Sequence, residues 1–226
     1  MTSNTVAAFA LAAAALAASS DAGAVTVTSV GGAPDPGPRP GEHIVVDFDN
    51  PSAPGFIWSG GIASAKGTIR GRHTAPARDR TTYGYVSSKF ADPVATLRTP
   101  ALTSISFYWG TMDSHNWLYV LGAQAQPIAF VHVSNLDFGN QNFVGGAGRN
   151  RRLVVTAGPG ETIHGLRFWA RGAAFEFDDF AATLAPVPEF LAGSVPEPQS
   201  WAMLIAGMGL VGAVARRRAG MRRMVT

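Results

Sequence analysis

Two acidic pairs and one aromatic turn carry most of the side chains in this sequence that suit chemistry. The strand-like stretch HIVVDFD (43–49) holds Asp47 and Asp49, and AAFEFDDFAATL (173–184) holds Asp178 and Asp179. Side chains alternate between the two faces of a strand. Phe175 and Phe177 therefore share a face, opposite Glu176 and Asp178. Strict alternation would then turn Asp179 inward and Phe180 outward, whereas a β-bulge at Asp178-Asp179 returns Phe180 to the core. In either register one Asp is partly buried, and a buried carboxylate needs hydrogen-bond donors or a cation. Ca²⁺ takes its ligands from carboxylates, carbonyls and water. Asp47 or Asp49 with Asp178 or Asp179 thus has two candidate roles, ligands of a structural Ca²⁺ or hydrogen-bond caps of nearby turns. The second dense stretch runs from Trp109 to Trp117. Trp109, Asp113, His115, Asn116 and Trp117 suit a glycan, since ring faces stack on sugars and short polar chains bond hydroxyls. The competing role is a hairpin turn closed by Asx-type bonds and flanked by core tryptophans.

Catalytic signatures are lacking in the sequence. It has no G-x-S-x-G elbow and no H-E-x-x-H pair. His43, His73, His115, His132 and His164 are scattered, with no pair at metal-ligand spacing. Asp113, Ser114 and His115 are contiguous and cannot by themselves form a triad. With no Cys there is no disulfide, thiolate site or Cys nucleophile. The expectation is a non-catalytic protein. Two carboxylates meeting as in a glycosidase would make the alternative, a secreted polysaccharide-active hydrolase.

The elements that must position these groups are short strands. Period-2 stretches recur at 43–49, 103–109, 116–122, 127–133, 151–157, 164–170 and 173–184, separated by Gly, Pro, Asn and Asp. In 103–109, Ile105, Phe107 and Trp109 share one face. No stretch shows a helical stripe. The pattern predicts an all-β domain over 42–184, an antiparallel β-sandwich of jelly-roll type. In jelly-roll carbohydrate-binding modules the first and last strands often lie close and share Ca²⁺, which is the geometry the acidic pairs would need. GGAPDPGPRPG predicts a linker over 25–41, and a second linker covers 185–194. The basic segment KGTIRGRHTAPARDR (66–80) reads as a solvated loop, with an anionic polysaccharide as its alternative partner.

The formal charge of +3 and a pI near 9.7 suggest nucleic acid only until the charges are placed. Residues 25–195 carry as many Asp and Glu as Lys and Arg, and the excess lies in Arg216, Arg217, Arg218, Arg222 and Arg223. No nucleic-acid partner is expected. Residues 1–24 read as a signal peptide, with the apolar core VAAFALAAAALAA and small residues before Val25, although MTSNT lacks the usual positive start. At the other end, Trp201–Ala215 would span roughly 22 Å as a helix, short of the ~30 Å bilayer core. Trp201 at one boundary and the arginines at the other still suit a single membrane helix with its basic end cytoplasmic.

The ending is more specific than its hydropathy. Val195-Pro196-Glu197-Pro198, two spacers, Trp201-Ala202, a Gly-interrupted apolar run and a terminal Arg cluster resemble the PEP-CTERM sorting signal of Gram-negative bacteria, in its PEPxxWA variant. The same tail sometimes bears the label "ice-binding protein C-terminal domain", which implies no ice binding. The resemblance implies export with signal peptidase and an exosortase as processing partners, and a tethered inner-membrane intermediate over 195–226. The destination would be the periplasm, cell surface or biofilm matrix, often beside exopolysaccharide. The stretches FYWGTMDSHNWLYVL (107–121) and GLRFWARGAAFEFDDFA (165–181) also resemble exosortase-dependent surface proteins, with Thr111 in place of the usual Ser and His115 where an aromatic is common. That resemblance lends no activity. An extracellular polysaccharide is the ligand it leaves open.

Overall fold

The structure is a computed structural model that describes residues 24–136 and 149–186, together with 205, 206 and 208. The chain divides into two units, Met1–Ala185 and Pro186–Thr226. The signal-peptide core, the motif residues Val195 to Ala202 and the cluster Arg216 to Arg218 lie outside the described residues. Residues 205, 206 and 208 are helical. Among the described residues no helix is long and apolar enough to cross a membrane.

Among the described residues of the first unit there are eleven strands: β1 (Thr26–Gly31), β2 (His43–Val46), β3 (Ile57–Gly60), β4 (Ala63–Lys66), β5 (Thr82–Val86), β6 (Val94–Gly110), β7 (Asn116–Leu121), β8 (Pro127–His132), β9 (Arg151–Thr156), β10 (Ile163–Ala170) and β11 (Phe175–Leu184). All are joined in one antiparallel sheet. The all-β, antiparallel expectation holds, and every alternating stretch of the sequence contains a strand, although the strand in the first stretch stops at Val46 and leaves Asp47 and Asp49 in the turn after it. β1, β3, β4 and β5 have no counterpart in the pattern. They are only four to six residues long, and Thr, Ser, Ala, Gly and Lys interrupt their apolar residues, so the alternation is too brief to stand out.

β6 organises the sheet. Residues up to Arg98 pair with β3 and β10, whereas residues 102–110 pair mainly with β11 and β9. Between them lies Pro100, which has no N–H to give a ladder. Rings from both sets of neighbours meet in one core. Trp58 of β3 stacks on Phe177 of β11 at 5.4 Å, Phe168 of β10 lies 4.5 Å from Phe177, and Trp109 stacks on Phe175 at 4.4 Å.

The core leaves no room at Gly84 of β5. A Cβ there would sit 2.2 Å from Phe48 Cζ and 2.7 Å from Phe177 Cε2, and both rings are hemmed in by Trp58 and Phe180. Gly84→Ala is expected to cost about 1–3 kcal/mol through overpacking, read as a lower urea midpoint at unchanged m-value.

The opposite face of the 102–110 half is also covered. The expected linker over 25–41 instead contains the whole of β1 and then crosses this face up to Glu42. Glu42 accepts from Ser104 Oγ at 2.9 Å and Ser106 Oγ at 2.6 Å, and the Tyr108 hydroxyl donates to Gly32 O at 2.8 Å. The expected loop 66–80 lies beside this segment. Thr74 N donates to Glu176 at 2.6 Å and Ala77 N to Asn150 at 2.8 Å. Arg70, Arg72, Arg78 and Arg80 remain exposed, as a solvated loop requires, but its backbone is tied to the sheet. The contacts of both segments are invisible in the sequence because their partners are far away along the chain.

Candidate functional site

The acidic pairs occupy the covered face and its margin. Asp47 caps the turn after β2, accepting from Asn50 N at 2.9 Å, Asn50 Nδ2 at 2.8 Å and Asp49 N at 3.2 Å. The Asn50 side chain leads the bonds that hold its carboxyl below the ordinary range. This cap secures Phe48 at φ 58°, a left-handed conformation that sends its ring into the core. Asp49 accepts from Thr82 N at 3.2 Å and Thr82 Oγ1 at 2.7 Å. The bulge expected at Asp178-Asp179 is present. Asp179 has φ 50°, the register shifts after Asp178, and Phe180 is fully buried. Among the described residues no group of three or more His, Asp or Glu is placed to hold a metal. The donors around Asp47 and Asp49 are those of turn and strand-end caps.

Burial decides the protonation of the two carboxylates on this face. Asp178 is pushed up to about 9, first by burial and then by Asp179 and Asp79. Protonated, it is the donor that the buried Asp79 Oδ2 otherwise lacks. Glu176 is pushed up to about 7 by burial, against bonds from Thr111 Oγ1 and Thr74 N. Arg152, buried on the same face, pairs with Asp35 through Nε at 3.0 Å. It also donates to Ser106 Oγ at 2.9 Å and to Asp179 O at 3.0 Å.

The accessible chemistry lies elsewhere, on the outer face of β3, the 94–98 half of β6, β10, β7 and β8. Register sets it out in rows, because directly paired residues of antiparallel strands share a face. One row is Ser59, Thr96, Arg167, Tyr119 and Phe130. The next is Val94, Trp169, Trp117 and His132. None of these nine side chains is fully buried, and Phe130 is 40% exposed. Trp117 contacts Trp169 at 5.4 Å, Phe130 at 5.3 Å and His132 at 5.6 Å, making a continuous aromatic surface. The exposed Arg171 guanidinium sits 5.6 Å from both Trp117 and Trp169 ring centres, a cation–π arrangement.

The residues expected to touch a glycan divide. Trp117 is central to this face. Asp113 and the exposed His115 stand at its margin, where His115 N donates to Asp113 Oδ1 at 2.9 Å and Arg171 N donates to His115 O. Trp109 and Asn116 are fully buried on the inner side and cannot reach a ligand. Their expected contact role is therefore corrected, and the reason is parity, since Trp109 shares the inward face of Ile105 and Phe107. Trp169, Tyr119, Phe130, His132, Arg167 and Arg171 were missed. Their alternation was visible, but only register brings the strands' outward residues side by side.

Fold and face together define an all-β protein that presents an open aromatic and basic sheet surface. Residues 194–218 match the PEP-CTERM protein-sorting motif. That motif implies an exported protein targeted to an exosortase and processed at the membrane. No curated protein and no solved structure matches the chain.

Proposed function

We propose that this is a non-catalytic surface or matrix protein that binds extracellular polysaccharide on the outer face of β7, β8 and β10. The observation that carries this reading is the Trp117–Trp169–Phe130 surface, with Tyr119 and His132 completing it. Large rings left partly exposed on one sheet face are costly unless something covers them. Rings bordered by Thr96, Ser59 and arginine side chains suit a ligand with apolar faces and a rim of hydroxyls. We read the sheet as a jelly-roll-like sandwich folded across its aromatic core, with β6 shared by both layers. The buried Glu176 and Asp178 are engaged by internal partners beneath the 31–42 and 66–80 segments, which favours binding over the hydrolase alternative.

The test is calorimetric titration of the full chain, in mild detergent, with a panel of soluble polysaccharides. Trp117→Ala and Trp169→Ala are each expected to weaken binding by about tenfold or more, the loss typical of a central aromatic contact. Product release from any bound polysaccharide, abolished by one carboxylate substitution, would instead establish the hydrolase.

A further inference from the structure

Next to the aromatic surface the same face sinks into an open cleft of about 480 Å³. Ser59, Thr96, Arg98, Gln124, His164 and Arg167 supply its polar lining, and no carboxylate lines it. Arg98 pairs with Gly165, which has no side chain to fill the centre of the face. Among the described residues, neither the Arg98 nor the Arg167 guanidinium makes an ion pair or a side-chain hydrogen bond. This is unlike Arg152, which is matched by Asp35, and Arg171, which lies over the tryptophans. Arg167 stands opposite Thr96, and Arg98 is two residues further along the same strand. That diagonal places their Cβ atoms roughly 7–8 Å apart. Two cations at this spacing, with no acid between them, repel each other and gain from an anion placed between them.

The cleft is continuous with the aromatic surface. Arg167 lies directly beside Tyr119, and Tyr119 beside Phe130. From the Trp169 row to the Gly165 row the face extends roughly 13 Å along the strands, which accommodates an oligosaccharide segment. We propose that Arg98 and Arg167 form a carboxylate subsite, so that the polysaccharide taken by this face is a polyuronate. The planar guanidinium fork matches a planar carboxylate with two parallel hydrogen bonds. Thr96, Ser59 and Gln124 offer partners to neighbouring hydroxyls. This inference rests on the binding reading above and names the class of its ligand.

The test uses the full chain in mild detergent, polygalacturonate as polyuronate, dextran and cellohexaose as neutral glycans, and heparin as a sulfated one. Polygalacturonate is expected to bind about tenfold or more tightly than either neutral glycan at low salt, and to weaken steeply as NaCl is raised. Arg98→Gln with Arg167→Gln is expected to remove that advantage, bringing polygalacturonate down to the affinity of the neutral glycans, at an unchanged melting temperature. Equal affinity for neutral glycans, or an unaffected double variant, would overturn the carboxylate subsite while Trp117-dependent binding stands. Heparin bound more tightly than polygalacturonate would overturn the choice of carboxylate over sulfate. Polygalacturonate binding that depends on the arginines but survives Trp117→Ala would keep the subsite and remove the aromatic reading. No binding by any of these glycans overturns both.

Discussion

Asp35→Ala is expected to destabilise the protein by about 3–5 kcal/mol, the cost of stranding a buried charge. The Arg152 it would leave behind is 1% exposed, and its other acceptors are the neutral Ser106 Oγ and Asp179 O. Asp35 also accepts from Gly37 N at 3.1 Å, so the 31–42 segment would lose its hold on the sheet as well. Urea denaturation gives the magnitude, and limited proteolysis between residues 33 and 41 gives the location. Adding Arg152→Met to Asp35→Ala removes the stranded charge and is expected to recover much of the loss. A single-variant cost under about 1 kcal/mol would show that the pair is ordinary surface electrostatics.

The second large effect is pH dependence. Glu176 and Asp178 have folded-state values near 7 and 9, against ordinary values of 4.5 and 3.8. Each holds its proton more tightly when folded, so its contribution is complete below its ordinary value and is lost as pH rises through the folded one. Stability should therefore fall from about pH 5 towards pH 9, at up to ~1.4 kcal/mol per pH unit for each group in its titration range. His73 acts in the opposite sense. Its value is lowered from 6.5, chiefly by burial, so its contribution fades as pH drops below about 6.5. The melting temperature should accordingly peak at mildly acidic pH. Asp178→Asn keeps a donor for Asp79 and carries no charge at any pH. It is expected to flatten the alkaline limb and to be more stable than the native chain at pH 8. An unchanged limb in that variant would remove Asp178 as its source.

These two results concern a region the sequence renders poorly, and the reason is separation along the chain. Asp35 and Arg152 are each unremarkable in their own segments, and nothing local announces that they meet. The Pro/Gly composition of 31–41 correctly excludes a helix but says nothing of what the segment lies against. The opposite holds for β11. There the order Phe-Glu-Phe-Asp-Asp-Phe contains its own contradiction with strict alternation, and the bulge is its only resolution that keeps Phe180 inside. Alternation also places Trp109 with Phe107 in the core, against its use as a ligand contact. For Trp117 the sequence leaves a glycan contact and a core position both open. That Trp169 stands beside it depends on how β10 docks on β7, which no local pattern encodes.

The pairing scheme also sets a timetable. Among the described residues β1 closes only on β9, through contacts such as Thr26 with Thr156, and β2 closes only on β11, as in His43 with Ala182. β11 ends at Leu184, a few residues before the sorting motif begins at 194. Sheet closure must therefore wait until nearly all of the first unit has been synthesised, and such non-local pairings form slowly. The neighbouring pairs β4–β5 and β7–β8 can form first, and the pairing of β1 and β2, with the burial of Arg152 against Asp35, comes last.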